Sequence, residues 1–211
     1  MILAAVGMLR EARIVQGPLI RAVAGGGRSD LLLQRLAAAA DGATAILSVG
    51  IGGALDPQLS VGDVLIASEV VAEARWPSDE AWTDRLAAVL PHARRGVVYG
   101  ADDMILRSAD KVLLHRRTGG ALADMESHVA ARFAASRGLP LAVVRVVSDA
   151  ASTDLPTAVS KGLKPDGGMN LFGVLGALAV APTSLPALIR AGREAEAAFM
   201  ALRTLAPCLI A

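Results

Sequence analysis

The stretch DMESHVAARFAASRGLPLAVVRVVSDAA, residues 124–151, decides the fold. Its first half carries a helix: Asp124 stands as a cap, Val129, Ala130 and Phe133 line one face, Gly138 ends the helix, and Pro140 prevents its continuation. Its second half, LAVVRVVS at 141–148, is a nearly unbroken apolar run of strand-forming residues, the pattern of a strand buried on both faces.

The same two patterns recur on either side. Strands are expected at ILAAV (2–6), AILSV (45–49) and VLIASEVV (64–71). A helix is expected at SDLLLQRLAAAADG (29–42), with Ser29 or Asp30 as its N-cap and Gly42 as its stop. ARWPSDEAW (74–82) reads as an exposed loop, and neither an internal repeat nor a low-complexity linker interrupts the chain. Alternating strands and helices predict an α/β fold: a single domain over 1–211, with a mixed, largely parallel central sheet flanked by helices.

Composition narrows the function. The 211 residues are 54% hydrophobic, enough to fill one large core. With 21 Lys and Arg against 20 Asp and Glu, and only 3% aromatic residues, the chain lacks the basic stripe and stacking platforms of a nucleic-acid binder. A small-molecule site is expected instead. The lone Cys208 reads as a small hydrophobe and suits a reducing, cytoplasmic compartment. The opening MILAAVGML lacks the basic n-region of a signal peptide. Residues 167–189 carry no charge, but Pro182 and Pro186 break them where a spanning helix needs internal hydrogen bonds. A buried or groove-lining helix, a turn and a second helix are expected there, with no membrane-spanning segment. A membrane-proximal place in the cytoplasm stays open, although a net charge of +1 makes no electrostatic case for membrane contact.

In open α/β sheets, ligands gather beyond the carboxyl ends of the strands. Three such segments have functional character: GMLREAR with Glu11 after the first strand, GIGGALDP with Gly50, Ile51 and Gly52 after AILSV, and Asp149 after LAVVRVVS. Each also has a plain structural reading. The glycines serve a tight turn, Glu11 a solvated helix face, Glu126 the positive end of its helix, and Asp149 a cap. His92, His115 and His128 show no ligand spacing with Cys or carboxylates, so no metal is expected, and His128 reads as a partly exposed helix residue. A G-x-S-x-G elbow and a Walker lysine motif are both absent.

Taken together, the segments resemble the nucleoside phosphorylase and nucleosidase superfamily. SVGIGGALDPQLSVGDVLIAS (48–68) is similar to that family's glycine-rich strand and V-G-D element. DMESHVAARFAASRGLPLAVVRVVSDAA is similar to its Met-Glu helix, strand and Ser-Asp. GMLREA (7–12) matches the acidic loop of methylthioadenosine/S-adenosylhomocysteine nucleosidases. Within the superfamily, DMESHVAA and GLKPDGG (162–168) resemble the hopanoid-associated phosphorylases, to which release of adenine from adenosylhopane is ascribed. The resemblance implies roles. Glu126 accepts from the ribose hydroxyls while Met125 packs on the sugar, and Met104 and Ile105 of ADDMI (101–105) sandwich the base. Asp149 is the acid that protonates the departing purine, and Glu11 activates water. A donating carboxyl must be protonated, so Asp149 is expected to have its pKa raised by burial or hydrogen bonding.

One departure bears on the nucleophile. Where the family's phosphorylases hold phosphate with an arginine and a serine or threonine, this chain has Ser48 and Ile51. Arg10, Arg13 or Arg28 would have to substitute, and the balance leans to water, with inorganic phosphate as the alternative co-substrate and no other cofactor. The resemblance thus implies cleavage of the N-glycosidic bond of a 5′-substituted adenosine. The candidate substrates are adenosylhopane, whose triterpenoid tail the 167–189 run would line, and methylthioadenosine or S-adenosylhomocysteine. Two other readings stand beside it: a general purine nucleoside phosphorylase and a non-catalytic nucleoside- or lipid-binding protein. Family members assemble as homo-oligomers, and the same is expected here.

Overall fold

The computed structural model describes residues 1–160, 167–168 and 181–210. The strands are β1 (Ile2–Val6), β2 (Ile20–Ala24), β3 (Ala45–Ala54), β4 (Val64–Val71), β5 (Arg75–Pro77), β6 (Arg94–Gly100), β7 (Gly120–Asp124) and β8 (Leu141–Asp149). The helices are α1 (Leu9–Val15), α2 (Ser29–Ala39), α3 (Glu80–Val89), α4 (Ser108–Thr118), α5 (Ser127–Arg137), α6 (Thr157–Ser160) and α7 (Leu185–Leu205). The eight strands form one mixed sheet. Five pairings are parallel, and those of β3 with β7, β4 with β5 and β4 with β8 are antiparallel. The expected α/β class and largely parallel sheet are both present.

The pairings close on themselves. β3 bonds to β7, β7 to β6, β6 to β4, β4 to β8, and β8 back to β3, while β1 and β2 extend from β3 and β5 from β4. β8 is therefore flanked on both sides, and its residues 141–147 are all buried. That is why LAVVRVVS is apolar along its length rather than alternating.

Successive residues still point to opposite faces. Leu3, Ala5, Ile46, Val143 and Val147 pack with Leu32 and Leu36 of α2 and Val129, Phe133 and Ala134 of α5. Ala4, Val6, Leu47, Val49, Val144 and Val146 pack with Val15 of α1, Leu86 of α3, and Phe199 and Leu202 of α7. Both faces of the sheet are covered by helices, so the polar groups that matter gather at its edge or replace core residues.

Several expectations are corrected. The strand expected at 45–49 continues to Ala54, so Gly50, Ile51 and Gly52 lie in β3 rather than in a loop; pairing with β8 as far as Gly53 carries the ladder through the glycines. Within 74–82, Arg75–Pro77 pairs with β4 and Trp82 is buried in α3, because Asp79 caps that helix by accepting from Trp82 N at 2.8 Å. Asp124, expected as the cap of the helix, is the last residue of β7. Its Oδ1 nevertheless accepts from Ser127 N at 2.8 Å and Glu126 N at 3.1 Å, so it performs the capping expected of it. α2 begins with Arg28 at its N-cap and no side-chain cap bond. His128 is buried rather than partly exposed, pressed against Gly100.

The first helix expected within the uncharged 167–189 run falls on residues 169–180, outside the described residues. The later part is as expected: a 3₁₀ turn at Pro182–Ser184, then α7 with Pro186 in its first turn. Among the described residues, no helix is long and apolar enough to cross a membrane.

Candidate active site

β1, β3 and β8 run parallel, so the segments leaving their carboxyl ends share one edge of the sheet. Glu11, in the first turn of α1, is 1% exposed. Its Oε2 accepts from Gly7 N at 2.8 Å and Met8 N at 2.7 Å, and its Oε1 from Ile51 N at 2.8 Å. The carboxylate therefore joins the β1–α1 turn to β3, which a solvated helix residue would not do. Burial raises its pKa, opposed by the Arg145 guanidinium and the three N–H groups.

Arg145 lies in the middle of β8, directly opposite Gly50 of β3, and is fully buried. Its Nη2 donates to Ser48 Oγ at 2.6 Å and Ser127 Oγ at 3.3 Å. Its Nε is ion-paired with Asp124, and Glu126 Oε2 lies 3.7 Å from Nη2. Nη1 has no hydrogen-bond partner among the described residues. A Cβ at position 50 would overlap Glu11 Oε1 and fall 2.5 Å from Arg145 Nη1, so the absence of a side chain there leaves room for both groups. Gly7 does the same for two acids: its Cβ would fall 2.8 Å from Glu126 Oε1 and 3.3 Å from Glu11 Oε2.

Three carboxyl groups thus surround one guanidinium in a water-poor site, more negative charge than a single cation balances. The excess is met at Glu126, whose pKa is pushed up to about 8, first by burial and then by Asp124 and Glu11, with Arg145 opposing. Arg145 itself is raised: burial disfavours its charge, but Asp124, Glu126 and Glu11 outweigh that.

The second part of the site lies further along β3. Asp149 ends β8 beside Gly53, three residues beyond Gly50, or roughly 10 Å at the rise of a strand. It is 5% exposed. Its Oδ1 lies 2.7 Å from Ser148 Oγ, which is also 3.0 Å from Gly52 O. Its Oδ2 accepts from Lys111 Nζ at 2.5 Å. Asp149 is thus buried and hydrogen-bonded, and it meets a partner that the sequence does not announce, since Lys111 is 1% exposed and comes from α4.

Met125 is half-buried between β7 and α5, next to Glu126. Met104 and Ile105 lie half-buried in the segment joining β6 to α4. That segment is tied to the chain after Asp149: Leu155 N donates to Leu106 O at 2.8 Å, and Ser108 N to Asp154 Oδ1 at 2.7 Å. Ile105 also borders a cavity of ≈ 400 Å³ with Glu73, Tyr99, Asp102 and His128. Glu11, Glu126 and Asp149 do not line that cavity, so the structure does not unite Ile105 with the acids in one enclosed pocket. Among the described residues, no group of three or more His, Cys, Asp and Glu is arranged to hold a metal ion.

Sequence reasoning misses Arg145, Lys111, Ser127 and the part Ser48 plays beside the guanidinium. Arg145 carries a signal, a charged residue inside an otherwise apolar run that predicts a strand buried on both faces. Lys111 carries none. In SADKVLLHRRT it is one basic residue among several on a helix, and only the docking of α4 against the end of β8 selects it.

Residues 6–164 match the family model described as the phosphorylase superfamily. A 5′-methylthioadenosine/S-adenosylhomocysteine nucleosidase of Mycobacterium bovis is 25% identical over 157 residues, covering 54% of this chain and 62% of that one. The chain therefore spans less than two thirds of the length of that curated relative. The solved structure of such a nucleosidase from Colwellia psychrerythraea, in complex with adenine, matches with a TM-score of 0.66 at 18% identity, over 84% of this chain and 96% of that one. A mutant of the Helicobacter pylori enzyme with 5′-methylthioadenosine in its active site matches with a TM-score of 0.63 at 15% identity, over 97% and 96% of the two chains. At these identities the likeness of structure shows a shared fold.

Proposed function

The chain belongs to the phosphorylase superfamily, and from that premise we propose that it hydrolyses the N-glycosidic bond of a 5′-substituted adenosine and releases adenine. The observation that carries this reading is the Glu11 carboxylate, buried and fixed by three backbone N–H groups against β3. Glu126 accepts from the ribose hydroxyls, and Asp149 delivers a proton to the purine as the C–N bond breaks. Glu11 takes a proton from the attacking water as its oxygen bonds to the sugar carbon.

Water is favoured over phosphate by the surroundings of Glu11. The Ile51 N–H, which would otherwise be free to bind an anion, is taken by the carboxylate, and Ser48 Oγ is 2.6 Å from Arg145 Nη2. The arginines that would have to substitute are engaged or turned to solvent: Arg10 is held by Glu196 at 2.6 Å, Arg28 by Asp30 at 2.6 Å, and Arg13 is exposed. A dianion brought here would meet negative charge without a free cation among these three.

Within this reading, the 5′ substituent is inferred to be apolar, with adenosylhopane as the substrate. That rests on the resemblance of the 124–131 and 162–168 segments, and is supported by Leu185 and Ile189, which leave the first turns of α7 apolar and exposed. Methylthioadenosine is the competing substrate, favoured by the Mycobacterium relative. Adenine release from both, with and without phosphate and with the sugar product weighed, tests the proposal. An unphosphorylated ribosyl product is expected, faster from adenosylhopane; a phosphorylated sugar overturns hydrolysis, and no adenine from either overturns the enzyme reading.

A further inference from the structure

Lys111 is a lysine with almost no contact with water, and its hydrogen-bonding capacity is used completely. An ammonium has three N–H donors, and this one is bonded to Asp149 Oδ2 at 2.5 Å, Ala150 O at 3.0 Å and Thr153 O at 3.0 Å. Most lysines keep their head in water, and one is fully buried only when it is paired. Here the head is taken inside and aimed at the one carboxylate that the proposed chemistry requires as an acid. The proposed chemistry needs a proton at that carboxylate, and the ammonium N–H is a donor already bonded to it.

We propose that Lys111 supplies that proton. The inference rests on the nucleosidase reading above and goes beyond it by naming the proton's source. As the purine leaves, the N–H bond at Nζ breaks and an O–H bond forms at Oδ2 of Asp149. That proton passes on to the purine nitrogen, while the electron pair of the glycosidic bond stays with the base. Lys111 is left as a neutral amine with two donors facing three acceptors, one of them bare, so re-protonation is favoured. Glu11 releases the proton it took from water to solvent, an equivalent proton reaches the lysine through Asp149 once adenine has left, and the cycle balances as water plus nucleoside giving sugar plus adenine. Lys111 acts only through Asp149 and is a positioning residue, not one that touches substrate.

The loop between them is built for this coupling. Thr153 N donates to Ala150 O at 3.0 Å, holding a turn in which the carbonyls of both residues also accept from the lysine. Asp154 and Leu155 then bond to Ser108 and Leu106 at the start of α4. The helix that carries Lys111 and the segment that carries Met104 and Ile105 are therefore tied to the acid as one unit.

The test compares two leaving groups on the same variants. One is adenine, from methylthioadenosine and adenosylhopane, which needs a proton to depart. The other is 4-nitrophenolate, from a 4-nitrophenyl riboside with the same 5′ group, which does not. In Lys111→Met, kcat for adenine release is expected to fall by about 100-fold or more relative to that for nitrophenolate, the usual range for removing an acid, with KM for the adenine substrates little changed. Lys111→Arg keeps a charge and donors beside Asp149, but a guanidinium does not give up its proton. It is expected to show the same selective loss, and it carries the test if the methionine variant fails to fold. Lys111→Arg releasing adenine at the wild-type rate, or Lys111→Met slowing both leaving groups equally, overturns the lysine as proton source while leaving the nucleosidase reading intact. Wild-type protein that cleaves none of these substrates overturns both.

Discussion

The guanidinium of Arg145 and the carboxylate of Asp124 form an ion pair in which neither side chain is exposed. It joins the middle of β8 to the end of β7, two strands that are not neighbours in the sheet, and its guanidinium also answers the charges of Glu11 and Glu126. Such a pair adds little net stability over an apolar replacement of both partners, but losing one partner leaves an uncompensated charge. Arg145→Met is therefore expected to destabilise the protein by about 3–5 kcal/mol, read from the midpoint of urea unfolding. Arg145→Lys keeps the charge but only one narrow set of donors, and its loss should be smaller.

Glu126 gives the protein a pH-dependent stability whose sign is set by its burial. Its folded value of about 8 lies above the ordinary 4.5, so between the two the folded state holds a proton that the unfolded state has lost. Its contribution is present in full below about pH 4.5 and disappears as the pH rises through 8. Unfolding free energy measured across this window should decline, by up to about 1.4 kcal/mol per pH unit from this group. Glu126→Gln should flatten the decline; an unchanged slope in that variant would assign the titration elsewhere.

Nucleoside binding should draw on the same proton. Ribose hydroxyls that donate to Glu126 favour its ionised form, so KM should fall as the pH rises towards 8, and calorimetry in two buffers should record proton release on binding.

Gly50→Ala should disable the site from the backbone. Its methyl group would overlap Glu11 Oε1, so the carboxylate must give up its bond from Ile51 N or Arg145 must retreat. A loss of about 1–3 kcal/mol in stability is expected, with a larger proportional loss of adenine release. A crystal structure of the variant with Glu11 undisturbed would contradict this account.

Asp149→Asn should lose about 100-fold or more of adenine release; its amide oxygen can still accept from Lys111, but the buried ammonium loses its counter-charge, so a lower urea midpoint is expected as well. Activity near wild type would remove Asp149 as the acid.

Legibility in the sequence differs from residue to residue. β8 is readable because a strand enclosed by β3 and β4 must be apolar on both faces, and that requirement is written into LAVVRVVS. Glu11 and Asp149 are readable as carboxylates that come after parallel strands, since strand order alone brings such positions to one edge, whereas Glu126 is readable only as a residue at the start of a helix and takes its role from the family resemblance. The course of the chain through Gly50–Gly52 is not readable, because glycines signal turns locally, whereas here they continue a strand so that side chains from other elements can approach it. The burial of His128 is hidden for a similar reason: it depends on the missing side chain of Gly100, a residue of another element.

The sequence by itself determined the class of fold and the acids at its edge, because burial periodicity and strand-to-helix alternation are local properties of the chain. Only the tertiary structure decided which cations answer those acids. Arg145 meets Glu11 through the register of β8 on β3, and Lys111 meets Asp149 through the packing of α4 against the loop after β8. Charge pairing is fixed by distances across the fold, between residues 38 positions apart for Lys111 and Asp149, and nothing in a local stretch of residues encodes such a distance.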